Sequence, residues 1–148
     1  MPTSFVPITP TTLDAALDLM NRLYTEPGGV HHRERSRRAV EYLFAHPESG
    51  GVWFIESGAQ TAGYLAITAC FSLEFGGAFG LLDELYFLPG WRGRGLGREA
   101  LAFAELWCRS HGCEALRLEV ELSNERALRL YRRAGFSTHA RDLMTKWL

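Results

Sequence analysis

The chain has 148 residues, a length that fits one domain with a single core, and we expect residues 1–148 to form that domain. With 47% apolar and 22% charged residues, its composition is typical of a soluble globular protein and excludes a disordered chain. Sixteen basic and seventeen acidic residues leave a net charge of −1, which argues against a nucleic-acid-binding module. The sequence has no long apolar run, no secretory signal and no C-x-x-C pair, so we expect a cytoplasmic protein without membrane contact or metal site.

The first half of the chain is predicted to form a strand, two helices and an antiparallel meander. Apolar residues at helical spacing predict a first helix capped by Thr11 or Thr12 and a second helix at about 34–45. The basic segment 31–38 between them is interpreted either as a solvated surface or as a substrate-facing loop. Stretches rich in β-branched and aromatic residues predict strands at 4–9, 52–56, 63–75 and 79–88.

The second half alternates helices with shorter strands. An amphipathic helix is predicted at 96–111, and regular alternation predicts a strand at 113–122. Asn124 is predicted to cap another helix, and residues 136–140 and 142–148 are predicted as terminal strands. This order predicts an α+β fold in which helices cover both faces of a sheet.

A glycine-rich turn that opens into the helix at 96–111 is the most informative segment. Gly93, Gly95 and Gly97 lie just after the strand that ends at Leu88. The first N–H groups of a helix have no internal acceptor, and glycines let a bulky anion approach the main chain. The segment therefore indicates a diphosphate site, although a tight strand-to-helix turn alone would also favour glycines.

The spacing of this turn excludes two common phosphate motifs. The Rossmann pattern requires glycine or alanine where the chain has Arg98, and a P-loop requires a lysine that is absent from the turn. The pattern that is present is R-x-x-G-x-G, formed by Arg92, Gly95 and Gly97.

A second pattern follows about thirty residues later. Residues 124–136 read N-x-x-A-x-x-x-Y-x-x-x-G-F. Together the two patterns resemble the signatures of the GNAT superfamily of acyl-CoA-dependent N-acyltransferases, and the order of elements is similar over nearly the whole chain. The predicted elements follow the order β-α-α-β-β-β-α-β-α-β-β, and the resemblance implies that their strands form a mixed, mostly antiparallel, twisted central sheet. It also implies that acetyl-CoA is the co-substrate.

The resemblance further implies roles for individual residues. The backbone of Leu85, Tyr86 and Phe87 would lie along the pantetheine arm, and one N–H of this strand would polarise the thioester carbonyl. Asn124 would lie near the pantetheine or serve only as a helix cap. Tyr131 would protonate the departing thiolate, unless it is simply a packed aromatic residue. The pyrophosphate would bind the backbone amides of Arg92, Gly93, Arg94, Gly95, Leu96 and Gly97.

The reaction needs a base, because an amine is mostly ammonium at neutral pH. Asp83 and Glu84 are adjacent, and on a regular strand they point to opposite faces, so only one can face the acyl group. We favour Asp83, acting through water, since it shares parity with Leu85 and its position relative to Arg92 resembles that of the carboxylate in several family members. A bulge would instead favour Glu84. Either residue could also form only a surface ion pair.

These features predict an enzyme that transfers an acetyl group to a primary amine of a small molecule or peptide in a ternary complex. The alternative is a non-catalytic acyl-CoA-binding sensor, against which the presence of Tyr131 and a strand carboxylate argues. The acceptor stays open, because arginines near residue 35 suit a carboxylate, whereas Glu74, Asp83 and Glu84 suit a polyamine or aminoglycoside. We expect no nucleic-acid partner and regard a homodimer as one arrangement available to the chain.

Overall fold

The computed structural model describes residues 1–148, and its elements follow the predicted order as far as the fourth helix. The α+β class is confirmed, with helices on both faces of one sheet. Single turns of 3-10 helix at Pro47–Ser49 and Pro89–Trp91 precede the second strand and the third helix. None of the helices is long and apolar enough to cross a bilayer. The elements are β1 (Thr3–Pro7), α1 (Leu13–Thr25), α2 (Arg33–Ala45), β2 (Gly50–Ser57), β3 (Gln60–Ser72), β4 (Gly77–Phe87), α3 (Leu96–Ser110), β5 (Leu116–Leu118) and α4 (Glu125–Arg133).

The sheet has five strands in the order β1-β2-β3-β4-β5. The first four strands pair antiparallel, and β5 pairs parallel to β4. Because side chains alternate along a strand, Tyr64 packs against α1 and α2 while its neighbour Leu65 packs against α3. Burial of apolar side chains on both faces therefore gives the sheet two separate cores.

Two predictions about the C-terminal part are wrong. Residues 136–140 and 142–148 form no strand, and the strand predicted at 113–122 is limited to Leu116–Leu118. The alternation of apolar residues continues to Leu122, but this side chain is exposed because the chain leaves the sheet after Leu118. A strand needs a hydrogen-bonding neighbour, and the pattern of side chains alone does not supply one.

Candidate active site

The last part of β4 has an open edge beside the glycine turn. β5 pairs with β4 only as far as Leu82, so residues 83–87 have no neighbouring strand on that side. The N–H of Leu88 donates to the C=O of Ala62 at 2.9 Å, on the side of β3. Since backbone groups alternate in direction along a strand, Leu85 and Phe87 direct theirs toward the open edge. An extended ligand could therefore pair with β4 there, as an added strand would.

The glycine turn presents unused backbone donors. The amides of Gly93, Arg94 and Gly95 donate to no backbone carbonyl, and they lie directly before α3. The amide of Arg92 differs, because it donates to the C=O of Pro89 at 3.3 Å. Three free amides at the positive end of a helix dipole form a site that suits a phosphate.

Two glycines of this segment are required for different structural reasons. Gly95 has a φ of +84° and no other atom within 4 Å of where a Cβ would be, so its open face lies toward the ligand side. A Cβ on Gly97 would lie 2.8 Å from Cδ2 of Leu130, so this glycine lets α4 pack closely against α3. One glycine thus serves the turn, and another serves the packing that brings the two signatures together.

A groove of about 810 Å³ joins the open strand edge, the glycine turn and α4. Ten of the predicted site residues line it. Arg94 does not, since its guanidinium stacks on the ring of Trp91 at 4.8 Å from the centroid, and neither Asp83 nor Glu84 is part of the lining. The lining residues that the sequence predicted are Leu85, Tyr86, Phe87, Arg92, Gly93, Gly95, Leu96, Gly97, Asn124 and Tyr131.

The second signature contributes two polar side chains to the groove. Oδ1 of Asn124 accepts a hydrogen bond from the N–H of Ala127 at 3.2 Å, so the predicted helix cap is confirmed. Tyr131 packs edge-on against Phe136, with ring centroids 5.9 Å apart, and also lines the groove. Burial raises the pKa of Tyr131, which keeps its hydroxyl protonated at neutral pH. The residue is therefore a packed aromatic that also brings a protonated hydroxyl to the groove.

A bulge in β4 changes the faces that the two candidate bases occupy. Ala66 pairs with Glu84 and Ile67 pairs with Leu82, which leaves Asp83 as the extra residue. Leu82 and Leu85 consequently pack on the same face, although a regular strand would place them on opposite ones. The regular alternation on which the parity argument for Asp83 rested is therefore wrong, and the bulge is the case in which Glu84 was expected to face the acyl group.

The bulge turns Glu84 toward α1. The hydroxyl of Tyr24 donates to Oε2 of Glu84, and that of Tyr64 donates to Oε1 at 3.2 Å. Burial raises the pKa of Glu84, despite these two hydrogen bonds, and the nearby Asp83 raises it further. Both oxygens of Glu84 are thus engaged in holding α1 and β3 to β4.

Asp83 has a different environment. The residue is exposed at the bulge, but the surrounding protein partly desolvates its carboxyl group, and this desolvation alone raises its pKa. No hydrogen bond occupies its carboxylate, unlike that of Glu84. Both carboxylates act on Tyr24 and raise its pKa, after the larger effects of burial and the hydrogen bond to Glu84. The two acids therefore lie near one another, with Asp83 the freer of the two.

Arg92 links the turn to α1. Its Nη2 donates to Oε2 of Glu26 at 2.8 Å, and its Nε donates to the C=O of Phe87 at 2.9 Å. Glu26 also accepts a hydrogen bond from the hydroxyl of Tyr86, and the hydrogen bonds from Tyr86 and Arg92 hold the pKa of its carboxyl below the ordinary value. The arginine of the first signature is thus committed to protein partners.

Sequence reasoning missed the arginines that line the groove from the helices. Arg98 lies on α3, and Arg126, Arg129 and Arg133 lie on α4. The spacing i, i+3, i+7 on α4 places the last three on one helix face, which is the signal that could have revealed them. Although the net charge of the chain is −1, this groove carries a local positive charge.

Three of the four arginines of α2 are occupied by other contacts, and Arg38 is the exception. Nη1 of Arg33 donates to Asp18 at 2.8 Å, and Nη2 of Arg37 donates to Asp14 at 2.6 Å. The guanidinium of Arg35 lies 5.4 Å from the ring centroid of Trp147. These contacts favour the interpretation of the basic segment 31–38 as a solvated surface over that of a substrate-facing loop.

Comparisons with known proteins agree with this geometry. The sequence profile of the Acetyltransferase (GNAT) family matches residues 13–136. A mycothiol acetyltransferase of Propionibacterium freudenreichii subsp. shermanii is 43% identical over 63 residues, which cover 40% of this chain and 20% of that protein. An aminoglycoside N(6')-acetyltransferase type 1 of Stenotrophomonas maltophilia is 35% identical over 57 residues, 38% of this chain and 37% of the relative.

A solved structure extends the similarity over the whole fold. An integron cassette protein from the mobile metagenome of Cole Harbour Salt Marsh superimposes with a TM-score of 0.84 and 30% identity, over 97% of this chain and 90% of that one. The two curated relatives, in contrast, are matched over well under half of their own length. The family profile covers both signatures and the strand between the helices. The chain belongs to the GNAT family of acetyltransferases.

Proposed function

We propose that this chain transfers an acetyl group from acetyl-CoA to a primary amine of a small molecule, by direct attack in a ternary complex. The observation that carries the proposal is the single groove that unites an open strand edge, the free amides of Gly93 and Gly95, and Tyr131. This combination suits a ligand with an amide-containing arm, a diphosphate and a leaving group that must be protonated. The family match supports the same chemistry.

The residues present fit acetyl-CoA, which would supply the reactive thioester. The amides of Gly93, Arg94 and Gly95 would hold its diphosphate, and the backbone of Leu85 together with the N–H of Phe87 would pair with the pantetheine arm, since the C=O of Phe87 is held by Arg92. A backbone N–H at the open edge would stabilise the negative charge that develops on the carbonyl oxygen. Tyr131 would donate its proton to the thiolate, since its raised pKa keeps that proton in place until the sulfur becomes basic.

Asp83 is proposed as the base, with a water molecule relaying the proton from the ammonium group. Its carboxylate is exposed and has no hydrogen-bond partner, whereas both oxygens of Glu84 accept bonds from tyrosines. Desolvation raises the pKa of Asp83, which brings its proton affinity closer to that needed at neutral pH. Glu84, the other candidate, would then act mainly by holding Tyr24 and Tyr64.

The contacts of the acceptor side favour a cationic amine over an amino acid. Three of the four arginines of α2 that could bind a carboxylate are engaged, Arg33 and Arg37 with Asp18 and Asp14 and Arg35 on the ring of Trp147, which leaves Arg38. The acidic pair in the bulge would repel an acceptor carboxylate and attract a second ammonium group. Similarity to an aminoglycoside acetyltransferase points in the same direction.

The test is acetyl-CoA-dependent release of free thiol with four acceptor classes: amino acids, polyamines, aminoglycosides and short peptides. We expect turnover with polyamines or aminoglycosides and little with amino acids. Calorimetry with CoA, carried out in parallel, tests the alternative function of a non-catalytic sensor. Tight CoA binding without turnover of any amine would indicate such a sensor. Turnover confined to amino acids would contradict the proposed acceptor class.

A further inference from the structure

The contact between Arg126 and Gly93 connects the two signatures across the groove. A Cβ on Gly93 would lie 2.8 Å from Nη2 of Arg126, so the guanidinium of the α4 residue sits directly over the turn. Both residues line the groove. The only carboxylate next to Arg126 in sequence, Glu125, pairs with Arg129 at 4.0 Å. Arg126 therefore brings an uncommitted positive charge to the turn.

The neutral backbone amides of the turn and the positively charged guanidinium of Arg126 lie close together here. The amides of Gly93, Arg94 and Gly95 are free, but amides alone do not neutralise a dianionic diphosphate. The two arginines of the turn are engaged elsewhere: Arg92 with Glu26 and the C=O of Phe87, and Arg94 on the ring of Trp91. Arg126 on α4 has no such partner and sits directly over the turn.

We propose that Arg126 is a diphosphate ligand, reaching from α4 to complete the site that the amides of residues 93–95 begin. The inference rests on the proposed function, since it takes the acyl-CoA donor as the ligand. The planar guanidinium can donate two parallel hydrogen bonds to phosphate oxygens, which a lysine ammonium cannot do. The same contact couples the donor to α4, the helix that carries Tyr131.

The experiment measures binding by calorimetry, with CoA and with 3'-dephospho-CoA as the two ligands. Arg126→Gln should raise the Kd of both ligands by the same factor, about ten- to a hundredfold, because one charge-assisted hydrogen-bond pair to the shared diphosphate is lost. Arg126→Lys should recover part of the affinity. The factor by which Arg126→Gln raises the Kd should shrink as the salt concentration is raised, since salt screens an exposed ion pair.

Arg132→Gln is the matched control, because Arg132 lies on the same helix but does not line the groove. It should leave both Kd values unchanged. Equal affinity of wild type and Arg126→Gln, with unaltered thermal unfolding, would overturn the proposal. So would a loss seen with CoA but not with 3'-dephospho-CoA, which would assign Arg126 to the 3'-phosphate. Wild-type protein that binds CoA but acetylates no amine would contradict the proposed function and leave this binding result intact.

Discussion

At the scale of single residues, position 95 has the clearest requirement for glycine. Its φ of +84° is a conformation that side-chain-bearing residues rarely adopt, and its open face lies in the groove. Gly95→Val should reduce CoA affinity at least about a hundredfold, because the branched side chain would occupy the phosphate position and strain the turn. Gly112→Val is the control, since Gly112 has a φ of +69°, equally open surroundings and a place at the far end of α3. Calorimetry should show normal CoA binding by this control, and unchanged binding by Gly95→Val would remove the turn from the site.

Tyr131 packs against Phe136 and is the proposed proton donor, and one substitution separates the two roles. Tyr131→Phe keeps the ring against Phe136 and loses only the hydroxyl. Turnover should fall about ten- to ten-thousandfold, with little change in CoA affinity. Because burial raises the pKa of Tyr131, the wild-type rate should show no loss from its deprotonation below about pH 10. Tyr42→Phe is the control at an exposed tyrosine of α2, and it should change neither turnover nor CoA affinity. Near-normal turnover of Tyr131→Phe would leave this residue a packing role alone.

At the scale of elements, the sequence predicted what depends on local pattern and missed what depends on neighbours. The glycine turn, the Asn124 cap and the stripe of α3 follow from local chemistry, and each lies where it was expected. The bulge at Asp83 does not, because no residue type demands it and only the register between β3 and β4 reveals it. The pairing of Glu84 with Tyr24 likewise joins residues sixty positions apart, which no local pattern indicates.

The bulge makes the two acids of β4 unequal, and their separate neutralisation should show this. Asp83→Asn should lower kcat/KM about a hundredfold or more at neutral pH, within the range of general-base catalysis. The raised pKa of Asp83 places the acid limb of the wild-type profile above the ordinary aspartate value of about 3.8. Below that limb the base is protonated, so activity falls as pH falls. The defect of Asp83→Asn should shrink as pH rises toward the pKa of the acceptor amine, about 10.

Glu84→Gln should cost less activity than Asp83→Asn, because one amide oxygen can still accept a bond from a tyrosine. Asp18→Asn is the control for removing a carboxylate outside the site, as Asp18 pairs only with Arg33. Full pH profiles of kcat/KM for all three variants decide the assignment. Small and equal losses that stay flat with pH would mean that neither acid is the base, and a larger loss from Glu84→Gln would transfer the role to it.

At the scale of the whole molecule, two cores flank one sheet, and Phe136 is the last residue that packs into either of them. Every residue from 137 to 148 is exposed. The tail has two anchors, the bonds from Arg141 to Glu74 and the stacking of Arg35 on Trp147. Exposed contacts of this kind stabilise a fold little, so the tail should add little to the free energy of unfolding.

Deletion of residues 138–148 tests this division of the molecule. We expect the deletion to change the unfolding midpoint by less than about 3 °C, because it removes no core side chain. Phe136→Ala should lower the midpoint by several degrees, since a half-buried phenylalanine against Tyr131 is worth about 1–3 kcal/mol. Thermal unfolding followed by circular dichroism compares the two, with Arg141→Gln as the control for the tail contact alone. If the deletion destabilises as much as Phe136→Ala, the tail pairs with the sheet in solution, as its sequence pattern predicts, and the exposed arrangement is contradicted.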